Sequence, residues 1–306
     1  MEKPASYADR PLAGMGLMLL FCALAPLGDG LAKLLGGVVP LVILLLVRFG
    51  AQAVLLSPVL SRPAPPLSPR QWRLIALRTG LHMAGIGLMF TALRFLPLAD
   101  AVAIAFVMPF IMLLLGHFVL GEAVGPHRMV ACAFGFLGTL LVMQPSFAEV
   151  GWPALLPVGV AVCFALFMLV TRQLAQEVSP LRLQALSGIM ASIVLGAALL
   201  FWGDALGLRT FWPDRESLLL MGLLGVVGTL AHLAMTWALR LAPSATLAPM
   251  QYLEIPIATL LGWLMFRDLP NGIAVLGIAV TVATGLYVIC RERRTARAPT
   301  PVPPPL

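Results

Sequence analysis

Ala92-Leu93-Arg94-Phe95-Leu96-Pro97-Leu98-Ala99 and Ala238-Leu239-Arg240-Leu241-Ala242-Pro243-Ser244-Ala245 share Ala-Leu-Arg-x-x-Pro-x-Ala without a gap, 146 positions apart (92 to 238). Each opens an apolar run that closes on a glycine and then an acid, Gly116 with Glu122 and Gly262 with Asp268. Alanine and leucine are common in this chain, so the shared Arg, Pro, Gly and terminal acid carry the match. A self-match at constant offset marks an internal duplication.

Working outward, the 306 residues are 60% hydrophobic and 11% charged, with a mean hydropathy of +0.98. A soluble domain of this length cannot hide that much apolar surface, because folded surfaces need charge to stay solvated. Lipid is the solvent this composition fits. The net charge of +7 does not point to nucleic acid, because the basic residues gather at the ends of apolar runs. Cys22, Cys132, Cys163 and Cys290 stand singly inside such runs and read as small hydrophobes, with no disulfide framework or metal site.

Residues 1–11 are polar and lack the cleavage site of a signal peptide, so the first apolar run is expected to be a retained span. Ten runs follow one another at 12–35, 39–60, 72–93, 98–120, 129–143, 152–170, 181–202, 217–239, 244–266 and 272–290. Most approach the ~20 residues that a helix needs to cross hydrocarbon. The segment 61–69, with prolines at 63, 65, 66 and 69, cannot continue a helix, and 203–216 is its polar counterpart in the second half. This predicts an all-α membrane protein with a short polar start (1–11), two repeats of five helices (12–145 and 146–290) and a disordered basic, proline-rich tail (291–306).

Basic residues orient it. With the N-terminus in the cytoplasm, inner segments hold Lys3, Arg10, Arg62, Arg70, Arg73, Arg128, Arg172, Arg182, Arg240 and the arginines after 290. Outer segments keep Lys33, Arg94, Arg209, Arg215 and Arg267. This bias puts both termini in the cytoplasm of a bacterial-type inner membrane. Five is odd, so the second repeat enters from the opposite side. Inverted repeats of this kind are a transporter design with the substrate site near mid-membrane.

The residues resemble the drug/metabolite transporter superfamily in its ten-helix EamA type, over nearly all of 12–290. The resemblance is carried by Gly28 to Lys33, Leu46-Val47-Arg48-Phe49, the Ala92-to-Pro97 block, Pro109 and Leu120-Gly121-Glu122. In the second half Leu253-Glu254-Ile255-Pro256 resembles a Leu-Glu-Pro motif, and Phe266-Arg267-Asp268 replaces a Gly-Glu ending. Asp29 departs from the aromatic or small polar residues expected at its position. The resemblance implies a carrier of small metabolites with a central cavity lined by helices 1, 3, 4, 6, 8 and 9. Among subfamilies the YddG-type amino-acid exporters look closest, which makes amino-acid export the first expectation. Uptake or exchange of another metabolite (an S-adenosyl compound, a nucleoside, a drug) and a passive channel are the alternatives.

Charges inside a bilayer cost at least about 2.5–3.5 kcal/mol at a helix centre, so each needs a partner or a watered cavity. Asp29 and Lys33, spaced i,i+4, can pair on one helix face as a structural or gating pair. Arg48 can clamp a substrate carboxylate or tie its helix to Glu254 or Asp29, and Arg78 also lies within a span. Glu254, some ten residues into its run and just before Pro256, can exchange a proton or stay paired to Arg48. Gln251 and Tyr252 beside it offer polar contacts to a substrate. His82 and His232 fall in corresponding helices, where each is either satisfied by a neighbour or faces the cavity. Asp100 reads as a helix-start acid. Met108, with Met83, Met89, Met112 and Met168, can form an adaptable apolar wall, and Trp237 can face the cavity. Trp72, Trp152, Trp212 and Trp263 suit the interfacial belt.

No G-x-x-x-x-G-K-[ST] loop occurs, so no nucleotide-driven subunit or cofactor is expected. An intramembrane enzyme would need a nucleophile–base pair or a metal constellation, and neither is visible. The expected partners are a small-molecule substrate and the lipid bilayer, not nucleic acid.

Overall fold

The computed structural model describes residues 10–108, 110–111, 114–115, 118, 126–203, 212–242 and 247–297. Within them the chain forms ten α-helices. These are α1 (Pro11–Gly36), α2 (Leu41–Leu56), α3 (Pro69–Ala92), α4 (Leu98–Ala105), α5 (Pro126–Val150), α6 (Leu156–Glu177), α7 (Pro180–Trp202), α8 (Arg215–Leu241), α9 (Glu254–Phe266) and α10 (Gly272–Arg297). Seven described helices (α1, α2, α3, α5, α6, α7 and α8) are long and apolar enough to cross a membrane. Pro109, Gly116, His117, Gly121 and Glu122, read from the sequence as parts of helix 4, lie outside the described residues, as do Met112, Arg209, Pro243 and residues 298–306.

Local chemistry sets the helix starts. The Ser68 hydroxyl accepts from the Gln71 N–H at 3.2 Å while the Gln71 side chain accepts from the Ser68 N–H at 2.8 Å, with Pro69 opening α3. That reciprocal pair satisfies two N–H groups the helix leaves orphaned. At the start of α7 the Ser179 hydroxyl accepts from the Arg182 N–H at 3.3 Å, a single cap bond, and Pro180 follows. Asp214 caps α8 through the Ser217 N–H at 2.9 Å, and hydrogen bonds from Ser217 hold its carboxyl below the usual carboxylate range. Asp100, expected to serve the start of α4 in this way, makes no cap bond. Its Oδ2 accepts instead from the Ser146 hydroxyl of α5 at 2.8 Å. The last helix runs on to Arg297, past the 290 boundary drawn from the sequence.

The end of α9 is unusual. Arg267 takes the left-handed conformation (φ 60°), its N–H reaching Trp263 O and that of Asp268 reaching Gly262 O. The Arg267 bond to Trp263 O is the 5→1 bond of an αL helix ending, for which glycine is the unstrained residue. Gly121 stands at the corresponding place of the first repeat, one repeat length earlier. Replacing Arg267 by glycine is therefore expected to raise stability by about 1 kcal/mol, read as a higher unfolding temperature in detergent. The gain is trimmed by losing the contact of its guanidinium with the Trp263 ring at 5.5 Å.

The packing carries the duplication into three dimensions. α1 packs on α8, and α3 packs on α6; α2 crosses α8, and α7 crosses α3; α1 touches α9, and α6 touches α4. Exchanging the repeats (1↔6, 2↔7, 3↔8, 4↔9, 5↔10) turns each of these contacts into its partner. The contacts α2·α7, α4·α9 and α5·α10 map onto themselves. A pseudo-twofold axis relating five helices to five is what this pattern requires, and the odd number inverts one half. The protein is thus a ten-helix bundle of two inverted repeats. On the axis, α5 and α10 touch backbone to backbone: a side chain at Gly277 would meet Gly138 O, and one at Gly138 would meet Gly277 O at 2.8 Å. Only small residues allow helices this close.

Large apolar side chains cover the outside, among them Val54, Ile193, Phe201, Leu219 and Leu260. Trp72, Trp152, Trp212 and Trp263 are all exposed near helix ends, as the interfacial belt expects.

Candidate functional site

Between the halves lies a cavity of about 80 Å³. Its apolar wall includes Phe21 and Leu24 of α1, Met89 and Phe90 of α3, Phe106 and Met108 after α4, Phe164 and Met168 of α6, and Met235 of α8. Its polar edge is Asp29 (α1), Arg48 (α2), His232 (α8), Gln251 in the 3₁₀ turn Ala248–Leu253, and Glu254. The lining therefore draws on helices 1, 3, 4, 6, 8 and 9, with α2 added through Arg48.

Glu254 sits where one helix type gives way to another. Sequence reading puts it ten residues into a continuous helix. Instead the 3₁₀ turn Ala248–Leu253 precedes it, and Glu254 is the first residue of α9. Pro256 is the physical cause: lacking an N–H, it cannot bond the Tyr252 carbonyl, and Pro249 suits the start of the tighter turn. The first half is interrupted in step, since α4 ends at Ala105 and turns at Phe106 and Val107. Irregular backbone at membrane depth survives where it lines a cavity.

Arg48 is 2% exposed and ties α2 to α8. It donates to Gly228 O at 2.6 Å, approaches His232 Nδ1 at 2.9 Å and reaches Gln52 Oε1 at 3.2 Å. His232 Nδ1 also lies 3.2 Å from Gly228 O, but that carbonyl already accepts from Arg48; a guanidinium can only donate, so the shorter contact makes Nδ1 the acceptor and puts the ring proton on Nε2. Neither Glu254 nor Asp29 bonds to Arg48, so the tie expected from the sequence exists but with other partners. A side chain at Gly228 would fall on the Arg48 guanidinium.

From Gln52 the polar chain continues. Its amide donates to Gln184 O and Oε1 at 2.7 and 3.0 Å, and Gln184 donates to His232 O and Thr236 Oγ1 at 2.7 and 2.8 Å. Thr236 meets Arg78, which also donates to Thr171 and Ser187 at 2.8 and 2.7 Å and stacks over Phe167 at 4.6 Å. Two buried guanidiniums are thus joined through α2, α7, α8, α3 and α6. Among the described residues, neither touches a carboxylate. Sequence reading singled out the two arginines and missed Gln52, Gln184, Thr171 and Ser187.

His82 and His232 meet ring to ring, centroids 4.3 Å apart. His82 is fully buried behind the cavity wall, stacked on Phe167 at 4.5 Å and edge-on to Phe49 at 5.1 Å. Neither of its nitrogens has a hydrogen-bond partner among the described residues. Gln251 is fully buried, its amide on the Met168 sulfur at 3.3 Å. Tyr252 packs on Phe106 with ring centroids 5.4 Å apart, outside the lining. Trp237 carries the Arg240 guanidinium 5.7 Å from its ring and does not line the cavity.

The Asp29–Lys33 pair expected from i,i+4 spacing does not form. Lys33 reaches across the sequence to Asp268, 235 residues away, at 2.9 Å, and also donates to Leu96 O at 3.1 Å. With Asp268 38% exposed, this pair contributes under about 1 kcal/mol. Asp29 is left facing the cavity. No group of three or more His, Cys, Asp or Glu that could hold a metal occurs among the described residues.

Comparison with known proteins agrees with this architecture. A solved protein structure superposes with a TM-score of 0.67 at 20% identity, covering 94% of this chain and 98% of its own. A riboflavin transporter of Rhizobium johnstonii is 31% identical over 74% of this chain and 73% of its own length. Another from Vibrio cholerae is 30% identical over 74% of each. An S-adenosylmethionine uptake transporter of Rickettsia conorii is 24% identical over 92% of this chain and 94% of its own. The model of the EamA-like transporter family matches twice, at residues 12–144 and 151–290. Both halves of the bundle are accounted for by that match, and the chain belongs to the EamA-like transporter family.

Proposed function

We propose that this protein is a secondary carrier that takes up a heteroaromatic metabolite of the flavin or S-adenosyl kind across the bacterial inner membrane. Both termini lie in the cytoplasm, and the halves alternate access to a single central site. The observation that carries the substrate class is the division of the cavity. Phe21, Phe90, Phe106 and Phe164 offer flat apolar faces, and Asp29, Arg48, Gln251 and Glu254 form a polar edge. A flat ring with a polar tail matches both, and stacking on an aromatic side chain contributes about 1–3 kcal/mol. Relatives named for riboflavin and S-adenosylmethionine support the same class. Those names fit the uptake alternative drawn from the sequence better than amino-acid export, the first expectation.

With room for only a few waters in its present form, the cavity must widen to admit such a molecule. The methionines around it, with three rotatable bonds each, suit that adjustment. The test is uptake into liposomes containing the purified protein, followed by riboflavin fluorescence and by labelled S-adenosylmethionine. Saturable uptake of either, with counterflow, is expected, and Phe164→Ala should weaken apparent affinity roughly 5- to 160-fold. Non-saturating flux would identify a channel. Saturable export of amino acids, with both uptake assays silent, would overturn the substrate class.

A further inference from the structure

Two carboxylates face the cavity, and among the described residues neither has a hydrogen bond or an ion pair. Asp29 projects from α1 and Glu254 from the first turn of α9, two helices that pack on each other across the repeat boundary. Among the described residues that line the cavity with them, the cation is Arg48. Arg48 is already committed to Gly228, His232 and Gln52.

The other described groups around Glu254 bring it no cation. The thiol of Cys22 on α1 donates to Met250 O. His232 of α8 is held as an acceptor by Arg48, and Tyr252, two residues before Glu254, packs its ring on Phe106. Asp100 of α4 is occupied by Ser146. Arg78 balances the cavity's charge in number only, because it is bound to hydroxyls behind Phe167. Glu254 is 8% exposed, its opening being toward the cavity. A carboxylate so placed has, among the described residues, no counter-ion, and at most the few waters of a narrow cavity, to stabilise its charge.

We propose that Glu254 is a proton-binding site: its carboxyl is protonated in this structure and gives the proton to water when the cavity opens. With the cavity open to one side, a carboxylate oxygen takes a proton from hydronium and releases water; with it open to the other side, that O–H bond breaks and water takes the proton. No redox step or further reactant is involved. The site exists on the cavity geometry alone, and its use in driving uptake rests on the carrier reading above.

Infrared difference spectroscopy of the full-length protein in lipid, titrated from acid to alkaline pH, tests it without any substrate. The expected result is a protonated-carboxyl band in the wild type that disappears on alkalinisation. Glu254→Gln should lose that band, Asp29→Asn should keep it, and Glu254→Asp should restore it with a shifted midpoint. If the glutamine variant does not run as a single species on gel filtration, the shifted midpoint of the aspartate variant decides. Absence of the band in the wild type, its survival in Glu254→Gln, or an unshifted midpoint in Glu254→Asp overturns the proposal. Loss of the band when sodium replaces choline at constant pH also overturns it, identifying a sodium site. Since the spectra need no substrate, silent uptake assays defeat the substrate reading and leave this site standing.

Discussion

Gly228→Ala should unfold at a markedly lower temperature than the wild type and lose at least ten-fold in transport, although it adds a single methyl group. That methyl would fall on the Nε, Cδ and Cζ atoms of Arg48. The collision is with the end of a side chain, which ordinarily swings away at little cost. Arg48 cannot do so, because it is 2% exposed and held at Gly228 O, His232 and Gln52. Leaving its place costs charge-assisted bonds, while backing α8 away from α2 to keep it costs about 1–3 kcal/mol in packing and lengthens the same bonds. Interhelical bonds in lipid are worth about 1–2 kcal/mol at most, since the unfolded chain in the membrane also finds partners. The expected loss is therefore roughly 2–4 kcal/mol. Gly222 is the control, because a side chain there meets nothing within 4 Å; Gly222→Ala should unfold and transport like the wild type. Equal behaviour of the two variants would remove Arg48 from its assigned role.

Arg78→Ala is the second large effect, and it is most informative beside Arg78→Met. The truncation empties a fully buried site between α3, α6, α7 and α8. Emptying a core site costs about 2–5 kcal/mol. Removing a buried charge that touches no carboxylate returns part of that cost. Methionine returns it too and fills most of the volume, so Arg78→Met should melt well above Arg78→Ala. The hydroxyls left behind decide how near the wild type it comes. Thr236 still bonds His232 O at 2.7 Å and accepts from Gln184, whereas Thr171 and Ser187 lose the guanidinium. Equal melting of the two variants would mean that charge, not volume, is what Arg78 supplies.

The ten helices, their inverted duplication and the breaks at 61–69 and before α8 are legible in the sequence, because apolar runs and turn chemistry are local signals. What reached across the chain was not legible in the same way. The i,i+4 spacing made Asp29 a natural partner for Lys33, and nothing near residue 33 announces Asp268. The 3₁₀ stretch before Glu254 could have been read from Pro249 and Pro256, since two prolines seven residues apart make a continuous helix improbable. Gln52 and Gln184 carried a usable signal as well: a primary amide in the middle of an apolar run needs a partner in lipid. Thr171 and Ser187 carried none, because membrane hydroxyls are routinely satisfied by their own helix, as Thr79 is by Ile75 O and Thr91 by Gly87 O. The pairing of His82 with His232 was half visible, in that both fall in corresponding helices, but ring-to-ring contact is a product of packing.

The contacts that map onto themselves when the repeats are exchanged differ mechanically from those that trade places. A rearrangement that hands each half the shape of the other must convert the α1·α8 seam into the geometry of α3·α6, and the reverse. It can leave α5·α10 untouched. The Gly138–Gly277 contact then works as the keel of the molecule, common to both shapes. A cross-link placed there should be harmless, whereas one across α1·α8 should freeze the protein on one side of its cycle.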